Sequence, residues 1–156
     1  MIRGFHNTSF TVADIERSLG FYRDLLGMEV VNYRREATAA YLSEEIGFPI
    51  ARLRVAFLRP APGAVEMLEL IEYLEPRGTV ADVRTCNVGA GHVCVLTDDL
   101  HSLFRMLSEA GVTFRSKAPV YLPSGPNQGG YSVYCLDPDG ITVELFQPPK
   151  PEHAGA

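Results

Sequence analysis

Cysteine is scarce in this chain and badly arranged for a structural role. Cys86, Cys94 and Cys135 are odd in number and never form a CxxC pair, which excludes both a disulfide framework and a thiolate zinc site. Such usage suits a reducing cytosol, so a cytoplasmic location is expected. Basic residues are also in short supply. A formal charge of -5 and a pI near 5.3 argue against nucleic acid or an anionic membrane, because both bind a Lys/Arg-rich face. Long apolar runs are missing too: nothing approaches the roughly 18 to 20 residues of a membrane span. The N-terminal MIRGFHNTSF lacks the basic-then-apolar order of a secretory leader. These absences leave a small organic molecule as the expected partner.

Of the 156 residues, 46% are apolar and 21% charged, as in a globular chain able to bury a core. The chain also repeats itself. FHNTSFTV alternates as a strand with His6, Thr8, Phe10 and Val12 on one face. Asp14 can then cap a helix striped by Ile15, Leu19, Tyr22, Leu25 and Leu26, which Gly27 ends. From residue 92 the order recurs: strand HVCVLT, a cap at Asp98 or Asp99, a stripe of Leu100, Leu103, Phe104 and Leu107, and a stop at Gly111. MEVVNYR and VTFRS are short strand candidates after each glycine. LRVAFLR, the turn PAPGA and EMLELIEYL close the first half, while YSVYCL, the turn DPDG and ITVELFQ close the second. The extra segment 36–51 reads as a loop with a short helical turn.

The repeat divides the chain into a first module at 1–75, a Gly-rich polar linker at 76–90, a second module at 91–148 and a frayed tail at 149–156. Two units are too few for a solenoid, so the β-rich halves are expected to bury their faces on each other or on a second chain, enclosing a cleft. Each closing strand carries a Glu between apolar neighbours, Glu69 and Glu144, and each opening strand carries a His, His6 and His92. The spacing is 63 residues in one half and 52 in the other. Imidazole and carboxylate are natural ligands for zinc, nickel, cobalt, manganese or iron. A buried Glu costs several kcal/mol unless it is paired or meets a cation, so two in matching places ask for a shared reason. His101 and His153 have no counterpart in the other half and are assigned to solvent.

HNTSFTVADIERSLGFYRDLLGMEV, LELIEY, GHVCVLTDDL and DPDGITVELFQP together resemble the vicinal oxygen chelate superfamily, the group of glyoxalases, bleomycin-resistance proteins and extradiol dioxygenases. The likeness runs from residue 4 to 148, and FYRDLLGM and DPDG-x-x-VEL are its more specific segments. It implies an α+β fold of two βαβββ modules forming a cupped, barrel-like mixed sheet, and a homodimer. It also implies one divalent metal ion per site, held by His6, Glu69, His92 and Glu144.

Within that superfamily, the Glu at position 69 is similar to the glyoxalase I branch, whereas extradiol dioxygenases usually place His there. Methylmalonyl-CoA epimerases commonly have Gln, and bleomycin binders have generally lost the ligands. Glyoxalase I contacts glutathione through an Arg four residues after the first His and an Asn four residues after the first Glu. Those positions here are Phe10 and Tyr73, which points to a more apolar or aromatic substrate. The resulting expectation is a metal-dependent lyase or isomerase that takes a small carbonyl or hydroxy-carbonyl compound through neighbouring oxygens. It would transfer a proton by way of a metal-stabilised enolate, with Glu144 as first choice of base and Glu69 as second. Phe10, Arg54, Tyr73, Tyr121 and Tyr131 are the expected substrate contacts. The alternatives are an epimerase of the methylmalonyl-CoA type, an iron-dependent dioxygenase, and a binder that sequesters a toxin or antibiotic.

Overall fold

The computed structural model describes residues 1–150, so His153 and most of the expected tail lie outside the described residues. The chain divides into two compact units, Met1–Ala81 and a second that begins at Asp82, and the boundary falls inside the expected linker. In the first unit, strand β1 (Asn7–Thr11) leads to helix α1 (Ile15–Leu19), which continues as a π-helical stretch to Leu25. Strand β2 (Glu29–Ala37), helix α2 (Ala40–Ile46), β3 (Arg52–Arg59) and β4 (Met67–Glu75) follow. The second unit runs β5 (His92–Leu96), α3 (Leu100–Glu109), β6 (Val120–Tyr121), β7 (Tyr131–Leu136) and β8 (Thr142–Gln147).

Each unit holds one four-stranded mixed sheet, ordered β1-β4-β3-β2 in the first and β5-β8-β7-β6 in the second. In both, the opening strand runs parallel to the closing strand and the remaining pairs are antiparallel. The two modules are therefore the same βαβββ unit, with α2 as an insertion in the first. Among the described residues, no helix is long and apolar enough to cross a membrane.

The helices begin and end for local reasons. Asp14 accepts hydrogen bonds from the Glu16 and Arg17 amides at 2.9 and 3.1 Å, and Asp99 accepts one from Ser102 at 3.0 Å. Gly27 and Gly111 stop the turns with φ of 74° and 83°, a conformation costly for any residue with a Cβ. The apolar stripes then bury Ile15, Leu19 and Tyr22 in one unit and Leu100 and Leu107 in the other.

Two segments differ from expectation. Segment 36–51 contains α2, whose Leu42 joins Ala37, Ala51, Leu53 and Val55 in a buried cluster of their own. VTFRS is reduced to one isolated bridge, Phe114 to Cys135, and the edge strand resumes only at Val120. Between them stands Pro119, which has no N–H to donate to a ladder.

Candidate functional site

Strand register decides which side chains share a face. In the first sheet Glu69 is paired with Ser9 on one side and Phe57 on the other. Residues paired in this way point to the same side. The face of Glu69 therefore also carries Asn7, Ser9, Leu53, Val55, Ile71 and Tyr73. The opposite face carries Leu68, Leu70 and Glu72, all buried, and α1 packs against the β3 and β4 strands. In the second sheet Glu144 is paired with Cys94 and Tyr134, so its face includes His92, Cys94, Ser132 and Tyr134. Val143, Leu145 and Gln147 lie on the other, where the first amide of α3, at Leu100, donates to Gln147 at 2.8 Å.

The second unit brings its expected pair together. His92 Nε2 stands 3.4 Å from Glu144 Oε2, and the Tyr134 hydroxyl is 3.5 Å from the same nitrogen. Ser132 donates to the other carboxylate oxygen, Glu144 Oε1, at 2.7 Å. Burial and the Glu144 carboxylate beside it push the Cys94 thiol up to about 11, and the Tyr134 phenol is raised for the same two reasons. A cavity of about 320 Å³ opens here, lined by Arg115, Ser116, Leu122, Ser132, Tyr134 and Glu144 among others. Arg115, Ser116, Ser132 and Tyr134 were not among the sequence candidates. The alternation of YSVYCL and ITVELF, phased on Glu144, carries the signal for Ser132 and Tyr134.

The first unit is arranged differently. Glu69 accepts hydrogen bonds on Oε2 from the Asn7 amide at 2.9 Å and from the Ser9 hydroxyl. His6 precedes β1 and is exposed; its Nδ1 lies 2.6 Å from Asn7 Oδ1 and its ring stands edge-on to Phe57 at 6.3 Å.

Among the expected substrate contacts, Tyr73 alone shares a face with a candidate carboxylate, and it packs on the α2 cluster with its ring 6.2 Å from Phe48. Phe10 is paired with buried Leu70 and Arg54 with Glu72, which puts both on the helix-covered face. Tyr131 is paired with Gln147 and Tyr121 with Tyr131, so both stand away from Glu144. There Tyr131 contacts the ring of His101 on α3, at 4.9 Å. Tyr73 is the exception because β4 places it two positions beyond Ile71 on the Glu69 side.

Among the described residues, no group of three or more His, Cys, Asp or Glu side chains gathers as a metal cluster. The donor chemistry of the second unit's His92 and Glu144 fits a divalent cation: an imidazole nitrogen and a carboxylate oxygen face each other on one side of a sheet.

Residues 4–145 match the model of the Glyoxalase/Bleomycin resistance protein/Dioxygenase superfamily, and the chain belongs to that family. A 2-epi-5-epi-valiolone epimerase of Actinomyces sp. is 26% identical over 92% of this chain and 79% of its own length. A lactoylglutathione lyase of Pseudomonas putida is 27% identical over 92% of this chain and 84% of its own. In solved structures, a glyoxalase family protein from Bacillus cereus superposes with a TM-score of 0.77 at 20% identity, over 96% of both chains. An antibiotic binding protein from Streptomyces sp. CB03234 has a TM-score of 0.60 at 22% identity, covering 94% of this chain and 97% of that one.

Proposed function

We propose that the protein is a metal-dependent lyase or isomerase that moves a proton on a small hydroxylated carbonyl compound. The observation that carries this reading is the His92–Glu144 pair, whose Glu144 lines a cavity with Arg115, Ser116, Ser132 and Tyr134 as its other polar groups. The names of the relatives, one an epimerase and one a lyase, support the same reaction class.

The proposed donors are His92 and Glu144, with His6 and Glu69 as the first unit's candidates. A zinc, nickel, cobalt, manganese or iron ion held by such ligands supplies Lewis acidity, drawing electron density from a carbonyl oxygen. The chain's own residues do the rest. Glu144 is the base that takes the proton from the carbon beside the carbonyl, and Glu69 is the second choice. Ser132 holds Glu144 Oε1 and so fixes which oxygen meets the substrate. Arg115 and the hydroxyls of Ser116 and Tyr134 match a substrate with several oxygens. The aromatic wall that Phe10 suggested is not part of this proposal, since Phe10 is paired with the helix-facing Leu70. A homodimer is the proposed assembly.

Solvent exchange tests the reaction directly. Incubated in D2O with small α-hydroxy ketones and the metal, the wild-type protein should wash deuterium into the carbon beside the carbonyl, read by NMR. Glu144→Gln should slow this by about a hundredfold. Oxygen consumption would favour the dioxygenase instead, and raised melting temperature with no exchange would favour a sequestering protein. Fast turnover of methylglyoxal with glutathione would contradict the non-glutathione substrate.

A further inference from the structure

We infer that the two halves of this protein are unequal toward a metal ion, because Asn7, not His6, stands at the position that corresponds to His92. The inference rests on the metal-dependent reading above and changes its ligand set. In the second unit Cys94 is the register partner of Glu144, and His92 lies two residues before it. In the first unit Ser9 is the register partner of Glu69, and two residues before it is Asn7. The helix caps keep the same phase: Asp14 follows Asn7 by seven residues, as Asp99 follows His92. His6 therefore belongs one residue out of step with the repeat, with Thr8 and Phe10.

Side-chain contacts agree with the register. His92 meets its carboxylate directly at 3.4 Å, whereas His6 reaches Glu69 only through Asn7. A carboxamide oxygen is a weaker ligand for these cations than an imidazole nitrogen, and here Asn7 turns that oxygen toward His6 while its NH2 holds Glu69. Asn7 and Ser9 are thus positioning residues: they fix one oxygen of Glu69 and leave the other open. His92 and Glu144 set the affinity for the ion.

Titration of the purified protein with Co²⁺ alone, followed by calorimetry and by the visible absorption of the bound ion, tests this. His92→Ala should weaken binding by about tenfold or more, while His6→Ala changes it less than about twofold. Asn7→His should tighten binding by about tenfold and shift the absorption band as a nitrogen joins the ligand set. If His6→Ala weakens binding as much as His92→Ala, the assignment is overturned and the metal reading survives. If the wild type takes up no cation but Asn7→His gains it, the assignment stands and the native metal reading falls. If neither takes up the ion, both fall.

Discussion

Single residues carry the sharpest consequences in this molecule, and Cys135 is the simplest case. Its side chain is completely buried on β7, and burial pushes the thiol from the ordinary 9.0 up to about 12. The sign follows from comparing the two states. Below about pH 9 the thiol is protonated in both the native and the unfolded chain, and its contribution is constant. Above that pH the unfolded chain loses the proton while the native protein keeps it, so stability falls as pH rises toward 12. Melting temperatures taken from about pH 8 to about pH 10.5 should show this decline. Cys135→Ala should melt lower at the start of that range, because it leaves a small void, but lose less across it. An identical slope in both proteins would show that other groups govern alkaline unfolding. The same scale shows where the sequence is ambiguous. The two-residue alternation of FHNTSFTV is visible, and it does put Phe10 and Val12 on one face, but alternation cannot say which face meets the closing strand. That depends on parallel pairing with residues some sixty positions away, so His6 looks as good a counterpart of His92 as Asn7 does.

At the level of the elements, the repeat extends further than the ligand pattern reveals. Glu72 lies three residues after Glu69, and Gln147 three after Glu144; each accepts the first amide of its unit's helix, Ile15 at 3.2 Å and Leu100 at 2.8 Å. Glu72 additionally meets the Arg54 guanidinium at 3.2 Å, and is itself only 6% exposed. Glu72→Ala should cost about 2 kcal/mol, since it leaves a helix amide and a half-buried cation without their acceptor. Glu72→Gln should cost about 1 kcal/mol or less, because the second unit already performs this cap with a neutral amide. Urea unfolding of the two variants distinguishes them, and equal losses would mean that the charge on Glu72, and not its acceptor oxygen, is what matters. Here the sequence was informative in part. Caps and glycine stops depend on contacts within a few residues, the closing strands show as a two-residue alternation, and all of these read correctly. The burial of Glu72 depends on packing by α1 and on Arg54 across the sheet, so by type alone it passes for a solvated carboxylate. Tyr121 and Tyr131 mislead for a related reason: an aromatic on a strand suits either face, and the pairing with Gln147 sends these two to the helix side.

For the whole molecule, the division into two units makes the chain between them the place where it should open first. Residues 77–87 form no strand or helix, and Arg77 and Arg84 are both exposed there. Arg84 is paired with Asp82 at the surface, and that carboxyl is held well below the usual carboxylate range by the Arg84 side chain. An exposed pair of this kind adds little resistance to opening. Arg54 and Arg59 are placed otherwise: they lie within β3, whose backbone is hydrogen-bonded on both sides to β2 and β4. A protease must draw an extended stretch of chain into its cleft, which the linker allows and a central strand does not. Brief digestion with trypsin should therefore cut first after Arg77 or Arg84, giving two fragments that match the units by mass spectrometry. Each fragment retains a complete ladder, so the β-sheet circular dichroism of the nicked protein should stay close to that of the intact chain. A first cut after Arg54 or Arg59 would show instead that β3 opens before the linker. The first module, with its inserted α2, would then be the weaker half of the repeat.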